Sequence, residues 1–334
     1  MSNDGKTKIA RVSEEAWQRV QEVATSVGDA SPPVPLEKLA TAQRIRRIRF
    51  EPLLSDAGLA KSGDDFEIVI NTESPGVTPD MGDVVELGAG KLSDWGTGLR
   101  FTVAHEIAHA IFLQAAGGDS NSDLFQKNAQ AVENACSILA RVLLLPKQIL
   151  VRQIGDRLFD INHVRNLLSI FQISPEVFIR RMHLSDMRRE FGNVDGLLAF
   201  GQETDGAIGV RACHVVGYHA LGRFNRALEG DKKRKTESRY RSLSRSYRQD
   251  EWVAEGQPLA KLRLGVDIES LLRNGETGQK QLQILWHPDE KDVIPCDLVF
   301  RRIHKQPLGF LVGIKVTGPK EKRTEKTLFL KMPQ

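Results

Sequence analysis

Two histidines four residues apart, inside an almost wholly apolar segment, constrain this chain more than any other feature. His105 and His109 flank Glu106 in residues 100–114, a stretch that is mostly apolar and predicts one helix. Residues at i and i+4 project from the same helix face, so both imidazoles can reach one cation. Because ionisable groups are costly to bury unpaired, this setting favours a metal site over histidines that are merely packed or solvated.

Zinc is the metal that this pattern favours. Imidazole nitrogen is a good zinc ligand, and an open fourth position leaves room for water. Glu106 lies about 100° around the helix from His105, so its carboxylate can touch that water without being a ligand. Zinc lowers the pKa of the water to about 7, and Glu106 would take its proton as it attacks a carbonyl. Glu106 is therefore the candidate general base.

A third ligand is needed, and the next predicted helix, residues 124–145, offers one. Glu133 is an acidic residue in an otherwise apolar or amide-rich stretch of this helix. A helix hairpin joined by the loop at 116–123 would lay Glu133 against the histidine pair and complete a His₂Glu site. Spacing alone leaves this hypothesis balanced against a solvated glutamate.

The sequence RFTVAHEIAHAIF at 100–112 resembles the active-site helix of the ImmA/IrrE family of zinc metallopeptidases. The family's second motif, a glutamate followed by an alanine and a Leu-Leu-Met-Pro-like helix end, is similar to Glu133, Ala140 and residues 143–146. The resemblance covers about residues 10–190. It implies that Glu133 is the third zinc ligand.

The chain departs from the family pattern at a few positions without losing a ligand. The family often has glycine at the position of Ala108, and Asn-x-Phe-Ala at residues 137–140. Residues 162–187 resemble the helices that follow the family's catalytic segment, often likened to a helix-turn-helix. We assign them no DNA-reading role, because their arginines equally suit a solvated helix face. These arginines are Arg180, Arg181, Arg188 and Arg189.

The predicted fold class is α+β. Hydrophobic residues make up 40% of the 334 residues and charged residues 27%, which is ordinary globular composition. We expect a mainly helical, zincin-like metallopeptidase domain with a small sheet at 1–150, then a helical, helix-turn-helix-like segment at 151–192. Short Val/Ile/Leu-rich runs between turns predict a β-rich domain at 193–334. The resemblance implies that this last domain is a sensor, GAF-like in the DNA-damage-responsive members.

The formal net charge of +4 conceals a strong segregation. Residues 51–150 hold 6 basic and 14 acidic side chains, whereas residues 201–250 hold 11 basic and 6 acidic ones. Residues 301–334 hold 9 basic side chains against 2 acidic ones. An acidic first half and a basic second half indicate two units with different partners.

The cysteine pattern and the hydropathy of the chain exclude several classes of protein. Cys136, Cys213 and Cys296 form no CxxC pair, which excludes a disulfide framework and a Cys-rich zinc module. No apolar run approaches the roughly 20 residues of a membrane span, and residues 1–10 lack the apolar region of a secretory signal. We therefore expect a cytoplasmic protein with no membrane partner.

A basic run at 232–248 carries eight basic residues and one acidic residue. Cations that neutralise phosphates, interleaved with tyrosines that stack on bases, suit single-stranded nucleic acid such as single-stranded DNA. A solvated loop between strands is the alternative. The candidate contact residues are Lys232, Lys233, Arg234, Lys235, Arg239, Tyr240, Arg241, Arg245, Tyr247 and Arg248.

A cysteine switch is a second regulatory hypothesis. A thiolate in the fourth zinc position would exclude water and hold the enzyme latent. Cys296, expected in a loop before a strand, and Cys213 are candidates, and Cys136 would point to a side of its helix similar to that of Glu133. The alternative for each is a small buried hydrophobe.

The family resemblance implies a regulatory zinc endopeptidase that cleaves a helix-turn-helix repressor and thereby derepresses a stress or antiphage operon. The basic run suggests activation by single-stranded DNA. Two alternatives stay open: a non-proteolytic DNA-binding regulator that retains the peptidase scaffold, and a toxin-like metal-dependent hydrolase acting on something other than protein. The sequence leaves the oligomeric state open.

Overall fold

Two compact units make up the chain, one from residues 1–153 with 167–174, the other from 154–166 with 175–334. The structure, a computed structural model, describes residues 3–27, 31–78, 81–87, 91–117, 128–191, 196–204, 207–216, 277–284, 292–304, 309–316 and 321–322. The described part combines helices with small mixed sheets, which agrees with an α+β peptidase domain.

Helices that pack on one another form the first unit's core. Its helices are α1 Asn3–Ser26, α2 Leu36–Ala42, α3 Thr97–Ala115, α4 Ala129–Leu144 and α5 Lys147–Ile154. α1, α3 and α4 pack together. Apolar residues around α3, including Val103, Ile107 and Ile111, are fully buried, so this helix is enclosed rather than amphipathic. It begins three residues before the predicted segment and carries the histidine pair in its middle.

A small mixed sheet lies beside these helices. Its strands are β1 Ile45–Glu51, β2 Ala57–Ser62, β3 Asp65–Asn71 and β4 Val84–Glu86, in the order β2-β3-β1-β4. β1 and β3 run parallel, and the other neighbours are antiparallel. Ile48, Ile68 and Ile70 are fully buried, and α3 lies against β2 and β3. The sheet therefore holds the edge strand β2 next to the histidine helix.

A buried arginine fixes the start of α3. The Arg100 side chain is 1% exposed and donates hydrogen bonds to the carbonyls of Leu92 (3.0 Å) and Val34 (2.9 Å). The Glu37 carboxylate accepts the Leu92 N–H at 2.7 Å. The two hydrogen bonds of Arg100 tie the segments that precede the helix to its first turn.

The second unit contains the β-rich part of the chain. The later helices are α6 Ile161–Phe171, which the division between the units crosses after residue 166, then α7 Pro175–Met182 and α8 Ser185–Glu190. The strands are β5 Gly196–Thr204, β6 Ala207–Val216, β7 Thr277–Ile284, β8 Asp292–His304, β9 Gly309–Val316 and β10 Glu321–Lys322. The strand order is β10-β8-β9-β5-β6, and β7 also pairs with β8. Two of the Val/Ile/Leu-rich runs that predict strands, residues 261–266 and 327–332, lie outside the described residues.

The helix-turn-helix-like segment is a packing element in this unit. α7 lies against β5 and β6 and is buried along most of its length. Arg181 is fully buried and makes a bidentate ion pair with Asp186 at 2.8 and 2.7 Å. Of the two readings left open for these arginines, a solvated face does not describe Arg181, whose charge is paired inside the unit. Arg180 pairs with Glu176 one turn earlier, at 2.8 Å.

In the part of the chain that the structure describes, no helix alone combines the length and apolar character of a membrane span. α4 and α5 would do so only as a pair, by length and composition, and they are bent by 56°.

Candidate metal centre

Helices α3 and α4 bring three ligand side chains to one point. His105, His109 and Glu133 each offer a ligand atom, and these atoms all lie within 4.8 Å of one another. Nε2 of His105 is 3.0 Å from Glu133 Oε2 and 3.0 Å from His109 Nε2. Two imidazole nitrogens and a carboxylate that converge in this way form a donor set that suits zinc.

The close approach of His105, His109 and Glu133 shifts the pKa values of all three side chains. Burial alone would lower the pKa of His109, but hydrogen bonds with Cys136 and Glu133 raise it to about 10. The bond with His109 lowers the pKa of Glu133 to about 2, against the effect of its burial. Burial, followed by the His109 charge, lowers the pKa of His105. Without metal, His109 and Glu133 thus form an ion pair, and a metal ion must displace the His109 proton to bind.

Glu106 occupies a different environment from Glu133. Its side chain is buried, and burial raises the pKa of its carboxyl to about 7, although the nearby His109 charge opposes the rise. The residue does not belong to the converging ligand group within the described residues. It does line the cleft above that group. Glu106 can therefore exchange a proton near neutral pH without being a ligand.

Two further residues of α4 touch the histidines. The fully buried Cys136 forms a hydrogen bond with His109, and burial raises the pKa of its thiol. Ser137 Oγ lies 3.4 Å from His105 Nδ1. The sequence predicts Cys136 on this side of the helix but gives no role to Ser137. Its spacing of four residues from Glu133 is the signal that would have found it.

An open cleft of about 590 Å³ gives access to the metal centre. One wall is α3, and the facing wall is residues 55–59, which lead into β2 and form its first half. The lining residues are Ser55, Asp56, Ala57, Gly58, Leu59, Phe101, Thr102, His105, Glu106, His109, Leu113, Glu133 and Ser137. Sequence reasoning missed the wall at 55–59. No lysine or arginine is among these described lining residues, so the cleft keeps the acidic character of this part of the chain.

The other predicted site residues lie elsewhere. Cys213 is in β6, opposite Ala199 of β5. Cys296 is inside β8, opposite Leu282 and Val316 on the neighbouring strands. The prediction of a loop at Cys296 is wrong, because pairing on both sides draws this segment into the sheet. The basic run at 232–248 falls outside the described residues.

A known peptidase family matches the part of the chain that carries the metal centre. Residues 97–183 match the family model described as the IrrE N-terminal-like domain of the Peptidase_M78 family. The matched range includes both helices of the metal centre. It supports the ImmA/IrrE resemblance and a zincin-like peptidase domain. The chain matches none of the curated proteins.

Proposed function

We propose that the chain is a zinc-dependent endopeptidase. His105, His109 and Glu133 hold the zinc ion, and Glu106 is the general base. The observation that carries this proposal is the convergence of three ligand atoms within 4.8 Å at an open cleft that a buried, non-ligating glutamate also lines. The match of residues 97–183 to a peptidase family supports it.

The side chains of the site divide the reaction between them. Zinc, when bound, supplies Lewis acidity that polarises a carbonyl and lowers the pKa of a water molecule to about 7. Glu106 accepts the proton of the attacking water and then donates it to the leaving amine. A carboxyl whose pKa burial raises to about 7 suits transfer in both directions, since an acid–base catalyst works best near its own pKa.

The edge of the small sheet favours a polypeptide substrate. Asn71 N–H bonds the Asp56 carbonyl at 2.9 Å, so Asp56 and Asn71 form a hydrogen-bonded pair. In an antiparallel ladder such pairs alternate with non-bonded ones. Leu59, opposite Ile68, therefore directs its N–H and C=O away from β3. Within the described residues β2 pairs with β3 alone, so an extended chain can add to its free edge beside the cleft.

Proposals for the substrate and the activating ligand rest on the family resemblance and on the basic run at 232–248. We propose that the substrate is a helix-turn-helix repressor whose cleavage derepresses a stress or antiphage operon. We also propose that single-stranded DNA activates cleavage through the β-rich second half. Eight basic residues and two tyrosines between 232 and 248 suit such a ligand.

The test compares zinc-loaded wild type with Glu106→Gln, using a helix-turn-helix repressor from the same genome as substrate. Products are read by gel and mass spectrometry, with and without single-stranded DNA. We expect cleavage by the wild type and a loss of at least 100-fold in the variant, whose zinc content stays unchanged. Equal cleavage by both proteins would exclude Glu106 as the base.

Two further outcomes separate the alternatives. Intact DNA binding with no cleavage under any condition supports a non-proteolytic regulator. A cleavage rate that single-stranded DNA leaves unchanged removes the activation proposal while leaving the peptidase in place.

A further inference from the structure

We infer that Ser137 is a positioning residue for the metal ligand His105: its hydroxyl accepts the Nδ1–H and holds the ring with Nε2 toward Glu133. The inference deepens the proposed function and rests on it, because it concerns the same metal centre. It assigns a role to a residue that neither touches the metal position nor moves the proton of the reaction.

The two nitrogens of His105 face different partners. Nε2 lies 3.0 Å from Glu133 Oε2, and Nδ1 lies 3.4 Å from Ser137 Oγ. A neutral imidazole that gives its Nε2 lone pair to a metal carries its proton on Nδ1. That N–H needs an acceptor, and Ser137 Oγ stands at the long end of hydrogen-bond distance from it. The contact therefore gives a hydrogen-bond partner to the Nδ1–H of the tautomer that a metal requires.

Helix geometry explains how α4 can supply both the ligand Glu133 and the positioning residue Ser137. Ser137 follows Glu133 by four residues, so the two side chains lie on the same face of α4, one turn apart. By helical angle Cys136 lies on the other side of Glu133 from Ser137, and its side chain interacts with His109. α4 thus supplies the third ligand together with a polar partner for each histidine. Such partners orient ligating rings and typically change metal affinity by 10- to 100-fold.

The test uses a matched pair of variants, Ser137→Thr and Ser137→Val. Threonine and valine have the same shape, but only threonine keeps the hydroxyl. Ser137 is half-buried and lines the cleft, which leaves room for one added methyl group. The dissociation constant for Zn²⁺ is measured on the full chain by competition with a chromophoric chelator. The unfolding midpoint of each metal-free protein shows whether the fold is intact.

We expect Ser137→Val to bind Zn²⁺ about 10- to 100-fold more weakly than the wild type, and Ser137→Thr to stay within about threefold. Equal affinity of all three proteins overturns the inference. So does a threonine variant as weak as the valine variant, because the loss would then follow shape and not the hydroxyl. Ser137→Ala repeats the comparison if the valine variant does not fold.

Because Zn²⁺ binding is measured separately from cleavage, failure of this inference can be distinguished from failure of the proposed function. Wild-type protein that takes up no Zn²⁺ refutes the metal centre itself and with it the role of Ser137. Wild-type protein that binds Zn²⁺ but cleaves nothing refutes the peptidase and leaves the test of Ser137 intact.

Discussion

At the scale of single residues, the pKa values of two glutamates near the same histidines shift in opposite directions. Burial raises the pKa of Glu106 to about 7, whereas the hydrogen bond with His109 lowers that of Glu133 to about 2. Pairs of carboxyl groups that their surroundings separate in this way divide the acid–base work of a site. Glu133 stays ionised as a ligand, and Glu106 keeps a proton that it can exchange.

A carboxylate away from the site gives a prediction for stability. Glu67 is buried on β3 and contacts Arg47 at 2.7 Å and Arg49 at 2.8 Å on β1. The hydrogen bond with Arg47 is the main cause that lowers the pKa of Glu67. A depressed folded-state pKa stabilises the fold above the unfolded value of about 4.3, and this contribution is lost as the pH falls through the folded value.

Glu67→Gln should therefore lower the free energy of unfolding at pH 7, and the difference from wild type should shrink steadily below about pH 4. Urea unfolding of the metal-free chain at several pH values measures it. Glu73→Gln, at an exposed position, is the control and should change little at any pH. A difference for Glu67→Gln that stays constant between pH 7 and pH 3 would contradict the ion-pair account.

Single residues also show where sequence reasoning succeeds. The four-residue spacing of His105 and His109 places both on one helix face whatever the rest of the fold does. Glu133 belongs to another helix, so its position depends on how two helices pack, and spacing alone left it open. The role of Ser137 depends on the side-chain contact with His105, which no periodicity encodes.

At the scale of elements, the small sheet likewise contains strands that the sequence predicts and one strand that depends on tertiary packing. Alternating apolar residues at 45–50 and 66–70 predict β1 and β3. β1 buries one face as this pattern implies, whereas β3 is buried on both faces, Glu67 and Val69 included. β2 escaped prediction, since Ala57–Ser62 is made of small and polar residues apart from Leu59. Its strand conformation comes from pairing with β3, which is a tertiary property. The missed strand is also the missed wall of the cleft.

The free edge of β2 gives a prediction for catalysis. Leu59→Pro removes an N–H that points away from β3 and leaves the β2–β3 hydrogen bonds in place, as proline allows on an edge strand. If substrate adds to this edge, kcat/KM should fall about tenfold for the loss of one hydrogen bond.

Leu59→Ala is the matched control, because it removes the side chain and keeps the N–H. Rates are measured on the repressor that the wild type cleaves, alongside the unfolding midpoint of each variant. A proline variant that cleaves as fast as the alanine variant would show that substrate does not pair with this N–H.

At the scale of the whole molecule, the charge segregation matches the division into units. The acidic stretch, residues 51–150, lies in the unit that carries the metal centre. Its described cleft residues include Asp56 and neither lysine nor arginine, which favours a basic segment of substrate. The positive excess falls in the other unit, which suits a polyanion. The small net charge therefore describes neither unit.

Metal binding should affect the two units differently. A ligand that binds only the folded state stabilises it by RT ln(1 + [L]/Kd), about 2.7 kcal/mol when its free concentration is 100 times Kd. Zn²⁺ held between α3 and α4 should therefore slow amide hydrogen exchange in Thr97–Ala115 and Ala129–Leu144. Exchange in β8 and β9 should stay unchanged, because these strands belong to the other unit.

Hydrogen exchange of the full chain, followed by mass spectrometry with Zn²⁺ or with a chelator, measures this pattern. His109→Ala removes a ligand and should abolish the added protection in both helices. Protection that survives in this variant would place the ion elsewhere. Protection of β8 and β9 equal to that of α3 would mean that the metal stabilises the chain as one body, because the free energy of binding would then be shared by elements that do not contact the ion.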